Sequence, residues 1–485
     1  MTRRRIALAS ASAVVVAVAA LLAATAPALA PAPERTPATA SPTPSPAAGP
    51  PEVDADRALA HVRYLADPER GGRWSGSAGY DEAAEYVAER FREIGLEPLG
   101  DGGTFFQRFR MPIVDLAATP VLERLAPEPR AFAHRVEFTE RVGGYSGSGT
   151  VEGRLVFAAS GTPEDWSAID AEGAIVILLG PFERDPLEAA VSAGAAATIS
   201  VSDRILKYSY IPRFEARTLP AIIATEAAVD ALLSTAGRTV RGLAAAIELR
   251  RSGPRPGAAP LAFDTGATVR LSVPLTPPRE IDARNVVGLL RAGGPESARA
   301  VLVGGHLDGV GTDPDGAVFP AANDNASGVA LTIEIARVLA EWRSELRHSI
   351  VFVAFAGEEQ GLWGSEAYAV GIATSPGRTE SLLAYVNLDV VGCCGPTLGA
   401  SEESAALHRR LRAVAERYGL DLARLRGSSD QATFARRGVD AAILAWADTG
   451  PVHTTADVPE LVTAGSLATV GRLAGSVVLE IARGE

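Results

Sequence analysis

The chain has 485 residues, too many for one ordinary hydrophobic core, so two or more domains are expected. Hydrophobic residues make up 47% and charged residues 21%, a globular balance that excludes wholesale disorder, collagen-like repeats and coiled coil. Lys+Arg 46 against Asp+Glu 58 gives a net charge of −12, which argues against nucleic acid as a partner because such binders need a clustered basic face.

The first thirty residues read as a signal peptide. Arg3, Arg4 and Arg5 supply the positive start, residues 6–24 an Ala/Val/Leu run, and Ala28-Leu29-Ala30 a small-residue cleavage pattern. Cleavage there leaves no stable membrane span and places the mature chain outside the cytoplasm, secreted or in the cell envelope. Residues 31–51 are Pro, Ala, Ser and Thr with almost no large apolar side chain, so they cannot bury enough surface to fold and read as a disordered tether. Helical spacing then begins with Ala58, Leu59, Val62, Leu65 and Ala66, and recurs with Ala83, Val87, Phe91 and Ile94. Residues 52–137 are taken as the N-terminal part of the main domain.

Residues 138–255 have a different texture, with short apolar strands expected at 155–159, 175–179, 197–201 and 221–224. This segment contains none of the chain's six histidines, which are His61, His134, His306, His348, His408 and His453. Any histidine-based metal chemistry therefore lies elsewhere. A Pro/Gly/Arg-rich stretch at 251–259 reads as a boundary. Over residues 256–485, strands expected at 285–290, 300–304, 350–356, 382–388 and 441–445 alternate with helices at 327–342, 404–418 and 467–481. That alternation implies an α/β fold with a mainly parallel central sheet covered by helices, and with a smaller α/β domain inserted.

Ligands of such sheets bind at the carboxyl ends of the strands, and the polar residues of the last segment sit there. His306 and Asp308 follow one strand, Glu358 and Glu359 another, Asp389 ends a third, and His453 lies beyond a fourth; Asp324 precedes a helix. Histidine with carboxylate is the donor set of zinc, whereas magnesium and calcium take all-oxygen sets. Two histidines with several carboxylates exceed one tetrahedral site and suit two zinc ions. One carboxylate must then bridge the ions and another stay free as a general base. No G-x-S-x-G and no H-E-x-x-H is present, so serine-hydrolase and zincin templates have no foothold.

Gly305-His306-Leu307-Asp308, Ala322-Asn323-Asp324-Asn325-Ala326-Ser327-Gly328, Phe355-Ala356-Gly357-Glu358-Glu359-Gln360-Gly361, Asn387-Leu388-Asp389 and Val452-His453-Thr454-Thr455-Ala456-Asp457 resemble, in order, the motifs of the di-zinc exopeptidases that include secreted bacterial leucyl aminopeptidases and aminopeptidase Y. Gly72-Arg73-Trp74-Ser75-Gly76-Ser77 resembles the same family, and residues 153–237 resemble the protease-associated domain some members carry as an insert. The resemblance implies an aminopeptidase acting on peptide or protein N-termini. It also implies that His306 and Asp389 bind one zinc, Glu359 and His453 the other, that Asp324 bridges them and that Glu358 is the general base. Related zinc carboxypeptidases and glutaminyl cyclases, or a non-catalytic binding protein, are the alternatives on this scaffold.

Asp308 suits a supporting role, accepting the other ring N–H of His306. Asp430 is a candidate substrate-pocket residue, although Gln431 stands where the family has an aromatic residue or histidine. Val452 departs from the family as well, standing where some members place an oxyanion-stabilising tyrosine. Cys393 and Cys394 are adjacent, so they cannot close a long stabilising loop. The histidine-free insert is expected to be non-catalytic and to wall one side of the cleft.

Overall fold

The computed structural model describes residues 51–182, 185–252 and 259–485. The expected signal at 1–30, the tether except Pro51, and residues 253–258 of the boundary stretch lie outside the described residues.

A nine-stranded sheet carries the main fold. Its central four strands, in spatial order Ser349–Phe355, Ala300–His306, Leu382–Leu388 and Asp440–Trp446, run parallel. The first two are buried at every residue, which is why they read as unbroken apolar runs rather than alternating ones. Two of the nearest neighbours depart from the parallel rule. Arg279–Leu290 is antiparallel to Ser349–Phe355 because it also pairs with Phe106–Ile113 from the N-terminal part of the chain, and Leu398–Ser401 is antiparallel to Asp440–Trp446.

Register decides which residues meet at the carboxyl edge. His306 lies opposite Phe355, so the next few residues of that chain, Glu358 and Glu359, emerge beside it. On the other side Gly304 lies opposite Asn387, which brings Asp389 level with His306. The helix Ser327–Ala340 is buried along nearly all its length between the sheet and the helices Ala55–Leu65, Ala78–Ile94 and Ala464–Arg483. Its Glu334 is buried and paired with Arg337 and, at 3.5 Å, with His61. The two N-terminal helices bury the expected Ala58, Val62, Leu65, Ala83, Val87 and Phe91, and each begins at a side-chain cap, Asp54 and Ser77.

Among the described residues, Ala464–Arg483 is long and apolar enough to cross a membrane by length and composition. Leu467, Val470, Leu473 and Val477 are fully buried against the helices named above, so that apolar length serves the core. Thr463 caps its start and Gly484, at φ 80, ends it in the left-handed conformation.

A second sheet has eight strands in the order Arg130–Ala131, Val121–Ala126, Phe263–Val273, Gly149–Phe157, Ile175–Leu178, Ala197–Val201, Ala221–Ala224 and Phe138–Arg141. It extends beyond the expected segment 138–255 on both sides. The reason is edge pairing: Phe263–Val273 turns alternate residues inward and supplies the backbone partners of both Gly149–Phe157 and Val121–Ala126. Leu155, Phe157, Ile175 and Ile199 fill one face, while Val156, Val176 and Leu178 fill the other.

A buried ionic network ties this sheet to residues 307–321 of the main fold. Arg135 pairs with Glu140 at 2.6 Å and with Asp313 at 2.7 Å, and Lys207 reaches Asp313 at 3.0 Å. Burial would raise the Glu140 carboxyl, but the bond from His134 and the charge of Arg135 outweigh it and lower it to about 2. Asp313 is lowered too, by Arg135 and Lys207 acting against its burial. Carboxylates depressed in the fold stabilise it fully above their unfolded pKa, and that stability disappears as pH falls through the folded value. The Glu140 part is on the order of 3 kcal/mol at neutral pH. Urea unfolding of Glu140→Gln should therefore be easier than wild type at pH 7, with the difference shrinking from about pH 4.5 towards pH 2. A variant that loses stability on acidification as steeply as wild type would contradict this assignment.

Candidate metal centre

The four parallel strands and the turn at Ala322–Ala326 bring five of the expected residues to one place. His306 Nε2 lies 3.2 Å from Asp324 Oδ1 and 3.4 Å from Asp389 Oδ1. His453 Nε2 lies 3.2 Å from Asp324 Oδ2 and 3.1 Å from Glu359 Oε1. The two imidazoles thus face opposite oxygens of one carboxylate. His306, Asp324 and Asp389 can converge on one ion, and so can Asp324, Glu359 and His453, with the donor atoms of each trio within 4.8 Å of one another.

Close backbone contacts make this convergence rigid. A side chain at Gly305 or Gly328 would strike Leu388 O, at 2.3 and 2.2 Å, so both glycines let the neighbouring segments press against the residue that precedes Asp389. Asn325 ties the same point, its Nδ2 donating to Leu388 O at 2.8 Å while its Oδ1 accepts from Gly328 N at 3.0 Å. His453 sits at φ 60, a left-handed conformation that costs a non-glycine residue roughly 1–2 kcal/mol and has to be held by its surroundings.

The electrostatics are those of an acid-rich pocket around two imidazoles. Burial would raise the Asp324 carboxyl, but the bonds from His306 and His453 hold it well below the usual range. Burial would conversely lower both imidazoles, and the surrounding carboxylates, Asp389 and Glu358 at His306 and Glu359 and Asp324 at His453, drive them well above 6.5. Burial pushes Glu358 well above 4.5; His306 opposes this, while Glu359, Asp430 and Asp389 add to it. Glu359 Oε1 and Asp389 Oδ1 are buried without a hydrogen-bond donor, so they have spare coordinating capacity. Nitrogen and carboxylate donors in this crowded, anionic setting fit divalent zinc.

Asp308 differs from the expectation. His306 Nδ1 meets the backbone carbonyl of Asp308 at 3.0 Å, whereas the carboxylate is 3.7 Å away. That carboxylate instead accepts the backbone N–H of Glu358 at 3.2 Å and of Glu359 at 3.1 Å, because the adjacent parallel strand delivers the Glu-Glu loop directly onto it. One residue thus orients the imidazole with its main chain and the two glutamates with its side chain. Asp430, expected as a pocket residue, has no exposed surface and so cannot line an open cleft; burial pushes its carboxyl up to about 7. Its neighbour Gln431 bonds Asn387 Nδ2 at 3.1 Å, bracing the strand that ends in Asp389. Val452 is buried among Val390, Ile443 and Ala445. Cys393 and Cys394 form a disulfide. His61, His134, His348 and His408 bond elsewhere, to Tyr86, Glu140, Glu296 and Ser401.

Three further residues shape the centre. Asp457 accepts the backbone N–H of Asn323 at 2.8 Å and of Asp324 at 3.1 Å, fixing the turn that presents Asp324. Arg73 is completely buried and donates to Leu65 O, Leu307 O, Pro320 O and Ala321 O at 2.7–2.9 Å, stapling both ends of residues 307–321. Burial pulls its pKa down to about 10, opposed by the charges of Asp457 and Asp308. Both residues stand inside recognisable motifs. Ser209 stands in none, yet its hydroxyl donates to Glu359 Oε2 at 3.0 Å.

Residues 285–478 match the family model described as "Peptidase family M28". A stretch of 114 residues is 39% identical to a "Probable zinc metalloprotease" of Pyrenophora tritici-repentis, covering 23% of this chain and 25% of that protein. A longer match, 27% identical over 358 residues, is to the "Probable lipoprotein aminopeptidase LpqL" of Mycobacterium tuberculosis, covering 71% of this chain and 60% of that protein. The chain spans about a quarter of the length of the first curated relatives it matches. Among solved structures, the aminopeptidase from Aneurinibacillus sp. strain AM-1 has the same fold, with a TM-score of 0.65 at 22% identity over 88% of this chain and 94% of that one. Residues 285–478 carry both imidazoles and all the carboxylates that meet them, so the site lies wholly within the part of the chain that is similar to peptidase family M28.

Proposed function

We propose that this protein is an exported zinc-dependent aminopeptidase that hydrolyses the N-terminal peptide bond of peptides. Two zinc ions would be held by the chain, one by His306 and Asp389 and one by His453 and Glu359, with Asp324 available to both. The observation that carries this reading is Asp324, whose two oxygens each lie 3.2 Å from the Nε2 of a different imidazole, while a further carboxylate approaches each of those same nitrogens, Asp389 at 3.4 Å and Glu359 at 3.1 Å.

When bound, zinc supplies a Lewis acid for the scissile carbonyl and lowers the pKa of water towards neutrality. Glu358 is the general base: it takes the proton of the attacking water and passes it to the leaving amine. Asp308 holds the Glu358 and Glu359 backbones so that these adjacent carboxylates keep separate tasks. The surplus of carboxylates attracts the α-ammonium group of a peptide N-terminus. The Val452 side chain has no polar hydrogen to offer an oxyanion, so that charge is met by other groups of the site. Residues 138–255, which form much of the second sheet, are the protease-associated insert, and the N-terminal 30 residues direct export.

The test is hydrolysis of a panel of aminoacyl-nitroanilides by the purified chain, before and after chelation. Activity should be abolished by chelator, restored by zinc and absent on N-acetylated substrates. Cleavage that needs a free carboxyl terminus, or cyclisation of N-terminal glutamine by enzyme with one zinc per chain, would replace this reading with another.

A further inference from the structure

Residues 202–213 leave the second sheet after Ala197–Val201 and cross the rim of the metal centre before Phe214–Leu219, a strand that pairs with Gly144–Ser146 outside that sheet. They stay tied to their own region through Leu206 O and Tyr210, which bond Thr139 and Glu140, and also contact the loops of the main fold that build the centre. Lys207, the only lysine of the chain, is buried, pairs with Asp313 at 3.0 Å and lies 4.9 Å from the Phe319 ring centroid. Arg213 stacks 4.6 Å above the Trp363 ring. Two contacts reach the donors themselves. The Ser209 hydroxyl donates to Glu359 Oε2 at 3.0 Å, and the Lys207 backbone N–H donates to His453 O at 2.9 Å.

Glu359 and His453 are the two donors assigned to the same ion, and both are gripped by this strap. Among the described residues the strap makes no hydrogen bond to His306 or Asp389; His306 Nδ1 is satisfied by Asp308 O in its own loop. With Oε2 occupied by Ser209, Glu359 presents Oε1 alone towards His453, a single-oxygen ligand in a fixed orientation. His453 is in a left-handed conformation, and the Lys207 N–H holds its carbonyl in that geometry.

We propose that Ser209 is a positioning residue for Glu359, and that the strap from the second sheet sets the affinity of the Glu359/His453 half of the metal centre while leaving the His306/Asp389 half untouched. This rests on the two-zinc reading above. The insert then supplies no ligand and still governs metal loading, because a carboxylate fixed by an outer hydrogen bond loses less freedom on binding a cation.

The experiment is zinc titration of the metal-free full-length chain in competition with a chromogenic chelator. Wild type should bind two ions. Ser209→Ala should bind one of them about 10–100-fold more weakly, as removal of such outer partners does, with the other unchanged. Ser209→Thr keeps the hydroxyl and should restore the weaker site, a rescue that a general loss of packing would not show. Ser209→Ala binding both ions as tightly as wild type, or weakening both alike, overturns the proposal. Glu359→Gln run alongside separates the two levels. If it loses one ion while Ser209→Ala binds both as tightly as wild type, the strap inference alone fails; if it retains both ions, the ligand assignment fails and the inference falls with it.

Discussion

Glu358→Gln should lower turnover by about 10²–10⁴, the range of general acid–base catalysis, and leave zinc per chain unchanged. The backbone of Glu358 is anchored by Asp308 at 3.2 Å, so the amide side chain will occupy the same place. Its carboxylate has no ion pair among the described residues, consistent with a group kept for proton transfer rather than structure. Glutamine preserves the shape and cannot accept a proton. Steady-state kinetics and metal analysis on the same preparation check both halves of the expectation. Full turnover would remove Glu358 from the mechanism, and loss of an ion would make it a ligand.

Asp324→Asn should have the largest effect on metal binding, because its carboxylate is the one group that meets both imidazoles. The amide retains one neutral oxygen and loses the negative charge that two cations would share, so both ions should bind weakly and turnover should fall to background. Zinc that binds the folded chain in preference to the unfolded one would stabilise wild type by about 3 kcal/mol when free zinc exceeds its dissociation constant about 100-fold. That increment should be close to absent in Asp324→Asn when thermal unfolding is compared with and without zinc. A variant that keeps two ions and the full zinc-dependent stabilisation would show that Asp324 does not bridge.

The candidate site was legible to an unusual depth because its chemistry is local. His306, Glu358, Glu359 and Asp389 each lie within four residues of a strand end, and in a parallel sheet those ends share one edge. Asp308 shows where local reading stops. A carboxylate two residues from a histidine suggests a bond between the two side chains, but the neighbouring strand brings two backbone N–H groups closer to that carboxylate. Asp430 was visible as an acid near a family motif, and only packing places it out of reach of solvent.

Periodicity and strand ends determined the α/β class, the helices marked by Ala58 to Ala66, by Ala83 to Ile94 and by residues 467–481, and the set of residues that meet at the centre, since apolar spacing and donor type are properties of short segments. Tertiary structure decided what depends on partners far apart in the chain. The second sheet reaches back to Val121 and on to Val273 because an exposed strand edge must be paired, whatever the local composition. Arg73 became a staple because folding buried it beside carbonyls of Leu307, Pro320 and Ala321, more than 230 residues away in sequence. Ser209 is an ordinary serine in a loop without a motif; its meaning comes from a hydrogen bond to Glu359 across 150 residues, a contact that no local pattern encodes.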